Sequence, residues 1–289
     1  MITETLMALR RMRTRVVGWS IGLLAYVLLM AAMYENVAGM ENLSDLYAAF
    51  PDEMLHFFKG LLELSTPQGY LDTYYYNYAT VIVGLMAVGL GAGLVAGDEE
   101  RGLMDVLLSH PVSRTALLWG RVLGMFAALL IVVLAGWLGW ILPPASTSIG
   151  LSPMEMLLPS LALFAQLLLF GSLALLLSLL MPSGSSAGMT AGMLLVANYL
   201  LSGLANINPD LERFVRYTPL HFYQGGYAIQ GLDWAALAGI SGTALLLTTC
   251  AWLLFLRRDI RVGGEHSWEL RLRRTGPREH SSDVPLHAD

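Results

Sequence analysis

Charge is scarce in this sequence of 289 residues: only 13% are Asp, Glu, Lys or Arg, while 55% are hydrophobic. An average soluble domain carries about twice that share of charge. A soluble enzyme of this length is excluded, because too little polar surface exists to solvate it. Cysteine occurs once, as Cys250, so neither an internal disulfide nor a thiolate metal framework can form. Lysine also occurs once, as Lys59 after Phe58. A phosphate-binding loop needs Gly-Lys-Ser/Thr, so the chain has no nucleotide site of its own. The six histidines, His56, His110, His221, His266, His280 and His287, show no ligand spacing, and no metal is expected. A net charge of −5 lacks the basic field that nucleic acid requires.

What the sequence does have is long apolar runs, with a mean hydropathy of +0.57. Six are long enough to cross a hydrocarbon core of about 30 Å. They cover Val16–Tyr34, Ala79–Gly97, Val122–Leu142, Leu157–Met181, Ser186–Asn206 and Ala235–Leu256. All are apolar around their circumference, and the 29 glycines suit close helix packing in lipid. The expected fold is an all-α integral membrane protein of six transmembrane helices, with interfacial amphipathic helices beside them. None of the six cores holds Asp, Glu, Lys, Arg or His, the groups that ion-coupled carriers and proton pumps place inside the membrane. Gln166 and Asn198 are their main strongly polar side chains, each expected to make a hydrogen bond between helices.

The basic residues set the orientation. Fourteen lie in the N-terminal segment, the second loop and the tail, against Lys59, Arg213 and Arg216 on the other side. Both termini are therefore expected in the cytoplasm. The first run has 19 residues, longer than a signal-peptide core, so it reads as a retained helix. Residues 1–15 carry Ile2, Leu6 and Leu9 near helical spacing with arginines opposite; they read as an interfacial helix before the transmembrane domain of residues 16–256. The tail, residues 257–289, is polar without an apolar period and reads as a flexible cytoplasmic end.

Two external loops stand out. In the first, residues 35–78, Pro51-Asp52-Glu53 opens a predicted interfacial helix with Met54, Phe57, Phe58, Leu61 and Leu62 on one face. Tyr70, Tyr74, Tyr75, Tyr76 and Tyr78 follow and read as an aromatic belt at the headgroups. The second, residues 207–234, is bracketed by Asn208-Pro209-Asp210 and Thr218-Pro219. It is either a pair of short half-inserted helices capping the outer mouth or an ordinary structured loop.

Two motif matches fail on context. Gly184-Ser185-Ser186-Ala187-Gly188 fits G-x-S-x-G but lies in a turn between membrane helices, without the strand that a nucleophile elbow needs. Gly91-Ala92-Gly93-Leu94-Val95-Ala96 fits G-x-G-x-x-A but lies within a span.

The informative stretch is the cytoplasmic region 98–121. Asp98, Glu99, Glu100, Arg101 and Gly102 open what reads as a short helix, with Leu103, Val106 and Leu107 on an apolar edge, Pro111 ending it and Ser113 capping the next. A loop that is merely wet would need no such edge, whereas a rigid helix joined to a span can take a push from a soluble partner. The run Asp98-Glu99-Glu100-Arg101-Gly102, then Asp105-Val106-Leu107-Leu108-Ser109 and Pro111-Val112-Ser113-Arg114, resembles the cytoplasmic-loop signature of type-two ATP-binding cassette exporter permeases. Leu103-Met104 departs from the pattern, where Thr and a small or apolar residue are expected.

The resemblance implies the membrane-spanning permease subunit of an exporter in the cytoplasmic (inner) membrane of a prokaryote. It implies two copies of a cytoplasmic ATPase, which hold the ATP and Mg, and a second permease copy, identical or related. Asp98, Glu99, Glu100, Arg101, Gly102, Leu103, Asp105, Leu107 and Leu108 would couple to the ATPase. Thr190, Asn198 and Ser202 would face a pathway between the permeases. The alternative is a transmission module that uses the same ATPase to act on an extracytoplasmic protein without moving a substrate. An intramembrane enzyme ranks below both, because polar catalytic groups are nearly absent from the spans.

Overall fold

A computed structural model describes residues 2–39, 50–57, 63–100, 102, 113–142 and 149–257. Ten α-helices occur among them: α1 (Ile2–Ala38), α2 (Asp52–Phe57), α3 (Pro67–Leu71), α4 (Asn77–Gly93), α5 (Ala96–Glu100), α6 (Arg114–Ile141), α7 (Pro153–Leu180), α8 (Gly184–Ile207), α9 (Glu212–Val215) and α10 (Trp234–Arg257). A π-helical turn, Asp72–Tyr76, joins α3 to α4, so that Pro67–Gly93 forms one span. Six helical segments are long and apolar enough to cross a membrane, as the hydropathy pattern predicts.

Local chemistry fixes the ends of these helices. The Ser113 hydroxyl accepts from the Ala116 amide at the start of α6. Ser152 and Glu155 form a reciprocal capping box ahead of α7, and Ser183 with Ser186 does the same for α8. The turn between α7 and α8 is only three residues long, so the two helices are antiparallel neighbours.

Small residues set the packing. In α1 and α6, which run parallel, Ala8 meets Gly124 and Val27 meets Gly139. A Cβ on Gly91 in α4 would overlap the carbonyl oxygen of Gly171 in α7, so these two backbones touch. α10 lies on α7, where the Thr248 hydroxyl donates to Ser172 Oγ at 2.9 Å. Ala187, Ala191 and Leu195 of α8 pack with Val88 and Ala92 of α4. Arg11, Asp98, Arg121 and Arg257 stand at one end of the bundle, called the basic end below; Trp252 Nε1 donates to Thr115 Oγ1 there, joining α10 to α6.

Three expectations change. α1 is one helix of 37 residues, about 55 Å long, with no turn at Val16. Residues 2–17 contain neither Gly nor Pro, so nothing breaks the helix between its basic and apolar parts. The second span begins at Pro67, well before Ala79, because the Thr66 hydroxyl caps it by accepting from the Gly69 amide. The tyrosines are mostly not a belt: Tyr70, Tyr75 and Tyr76 are at most 1% exposed. The Tyr70 hydroxyl donates to the Met30 carbonyl at 2.7 Å, Tyr26 donates to the Tyr74 carbonyl, and Tyr76 pairs with Ser160 Oγ at 3.0 Å. Consecutive tyrosines on a helix point around it, so most of this run must meet neighbouring helices. Of the predicted helix beyond Pro51, α2 is described and residues 58–62 lie outside the described residues, as does the tail beyond Arg257.

Candidate functional site

The acidic run after the second span is built inward. α5 continues α4 after a turn at Leu94-Val95, so Asp98, Glu99 and Glu100 close a short helix rather than open one. Asp98 and Glu99 are each 6% exposed. One carboxylate oxygen, Asp98 Oδ2, accepts from Arg121 Nη2 at 2.6 Å and from Arg11 Nη1 at 2.8 Å. Arg121 also donates from Nη1 to the Leu94 carbonyl at 2.6 Å, which places a cation on the free carbonyl end of α4. Three segments therefore meet on one buried charge cluster: α1 through Arg11, α6 through Arg121 and the α4–α5 junction.

Glu100 points the other way. Its Oε1 accepts from the Gly184 amide at 2.8 Å, the first residue of α8, an anion at the positive end of a helix. A Cβ on Gly184 would lie 3.1 Å from Ala96 Cβ, so the α8 start is seated against α5. Gly102 has φ +65 and its amide donates to the Glu99 carbonyl. This left-handed glycine ends the helix, and a continuous coupling helix does not run through it. Of the candidate coupling residues, Arg101, Leu103, Asp105, Leu107 and Leu108 lie outside the described residues.

At the far end the segment after α8 folds into short 3-10 turns around α9 and roofs the bundle. Ala228 and Leu232 bury against Ala162 of α7. The Gly226 amide donates to Asp72 Oδ1 at 2.8 Å, and the Tyr223 hydroxyl donates to the Tyr76 carbonyl at 3.0 Å. Gly225, at φ +55, lies so close that a Cβ would run into Asp72 Oδ1. The segment is structured, as both sequence readings expect, and it packs on the end of the bundle through 3-10 turns and the single short helix α9. Burial holds the Tyr223 and Tyr227 hydroxyls well above the usual phenol range, with the Asp72 carboxylate adding to the shift.

Between this roof, α8 and the π turn lies a cavity of about 590 Å³. Ser202 lines it. Asn198 holds the roof, its Oδ1 accepting from the Leu220 amide at 3.2 Å. Thr190 lies two turns nearer the basic end of α8, half-buried and away from the cavity. Gln166 is fully buried in α7, and neither of its amide atoms has a hydrogen-bond partner among the described residues. The interhelical bond expected of it is absent there.

Sequence reasoning missed Arg121 as a partner of Asp98 and Asp72 as an anchor for the roof. Arg121 gave a signal, a guanidinium between Gly120 and the apolar run from Val122, since a cation at the edge of a span needs an anion. Asp72 gave none, because its partner is 154 residues away.

The family described as ABC-2 family transporter protein matches residues 8–260 of this chain. No curated protein matches it.

Proposed function

The chain belongs to the ABC-2 family of transporter proteins as a membrane-spanning permease, and we propose that a separate cytoplasmic ATPase drives it to export a substrate. The observation that carries this reading is the double attachment of α5. Asp98 ties it to α1 and α6, and Glu100 ties it to the start of α8. α8 reaches Asn198 and Ser202 at the other end, beside the outer cavity.

A displacement of the segment beyond Gly102 is thereby delivered to four helices rather than lost in a loop. Asp98 and Arg121 are too buried to dock a partner; they position α5, and the docking surface falls to the residues that follow it. ATP and Mg reside on two ATPase subunits at the cytoplasmic side. The basic end faces the cytoplasm of a prokaryote, and a second permease copy completes the pathway. ATP-driven closure of the ATPases moves α5 and tilts α8 against its roof, opening or squeezing the outer cavity. The cavity favours passage of a substrate over pure force transmission.

Affinity purification from the native host in mild detergent tests the partner. One P-loop ATPase per permease is the expected result. A folded permease without an ATPase, across several detergents, would overturn the proposal. ATPase coupling with no compound moved would instead favour the transmission module.

A further inference from the structure

We propose that the outer cavity is a binding site for organic ammonium ions. Its volume of about 590 Å³ lies in the range of small-molecule sites. Asp72 and Glu212 are in its wall, and no lysine or arginine is among the described residues that line it. Phe57, Tyr199, Tyr223 and Tyr227 supply aromatic surface, and the faces of such rings attract cations.

The hydrogen-bonding inventory points the same way. Gln224 has both amide atoms engaged, Nε2 on the Gly231 carbonyl at 3.1 Å and Oε1 on the Asp233 amide at 2.7 Å. Asn206 Nδ2 donates to the Phe57 carbonyl at 3.3 Å. These two wall amides are thus engaged by protein groups rather than turned to a ligand. Two buried hydroxyls on the wall, Tyr199 Oη and Ser202 Oγ, have no partner among the described residues, and a hydroxyl oxygen can accept from an ammonium N–H. The carboxylate that matters most is Asp72, which is half-buried and anchored by the Gly226 amide. Glu212 is more exposed and already faces Arg216 at 3.5 Å, so it adds less. The π turn puts Asp72 on the cavity side while Tyr75 and Tyr76 go into the core; π turns recur at functional sites.

Binding itself does not depend on the permease reading; only the step from binding to passage rests on it. The test is calorimetric titration of the full chain, purified in detergent with whatever ATPase it retains. The ligands are meta-hydroxybenzylammonium, which carries the N–H donors, and its uncharged isostere meta-ethylphenol. The ammonium should bind about tenfold more tightly, a difference of about 1.4 kcal/mol. Asp72→Asn should abolish that preference, and Glu212→Gln should weaken it less. Should Asp72→Asn fail to fold, Tyr227→Leu removes aromatic wall without touching the carboxylate and should lower the preference severalfold. Equal binding of the two ligands, binding of neither, or a preference unchanged in these variants would overturn the proposal. Absence of an ATPase from the same preparation would count against the permease mechanism and leave the titration intact.

Discussion

Asp98 is the residue on which the basic end turns. Its two arginines are not equivalent: the Arg121 side chain is 8% exposed and the Arg11 side chain 53%. Removing one partner of a buried pair leaves the other charge uncompensated, at about 3 to 5 kcal/mol, whereas an exposed partner contributes about 1 kcal/mol or less. Arg121→Leu should therefore lower the thermal unfolding midpoint in detergent strongly, and Arg11→Ala only slightly. Equal effects would mean that burial does not set the strength of this cluster. Gln166 offers the opposite case, a buried amide without a partner among the described residues. Such a group costs about 1 to 3 kcal/mol, and an apolar side chain of similar size relieves it. Gln166→Met should raise the unfolding midpoint; a fall would contradict the reading of this amide as an uncompensated polar group.

At the scale of elements, the long helices were legible because hydropathy and capping are local. The runs from Val16 and Val122 form the apolar parts of α1 and α6, which both begin earlier, and Ser113 caps where its sequence position predicts. The candidate coupling acids were legible as a motif, but their direction was not. Which way Asp98 faces depends on Arg121, 23 residues on, and on Arg11, 87 residues back. The outer site was less legible still. Its wall joins Asp72, Ser202 and Tyr227 from three distant segments, and the tyrosine run concealed that most of its rings turn into the core. The roof is held at Gly225-Gly226, where the left-handed φ and the contact with Asp72 both exclude a side chain. Gly225→Ala should destabilise the protein by more than about 1 kcal/mol. In hydrogen exchange, faster exchange should be confined to the amides of residues 209–231, with α6 unchanged.

For the whole molecule, the two ends act as one device only if α8 transmits between them. It is seated on Glu100 at the basic end and on the roof through Asn198 at the other. Tight packing of Ala187, Ala191 and Leu195 against α4 makes it a stiff element able to tilt as a unit. The most direct measurement is the distance between spin labels on Leu204, exposed at the outer end of α8, and Tyr217, exposed on the roof. It is made in the permease–ATPase complex with Cys250 replaced, with and without a trapping nucleotide. The account predicts a nucleotide-dependent change in that distance, and its loss in Glu100→Ala with the ATPase still bound. An unchanged distance in the otherwise native protein, or the same change in Glu100→Ala, would contradict it.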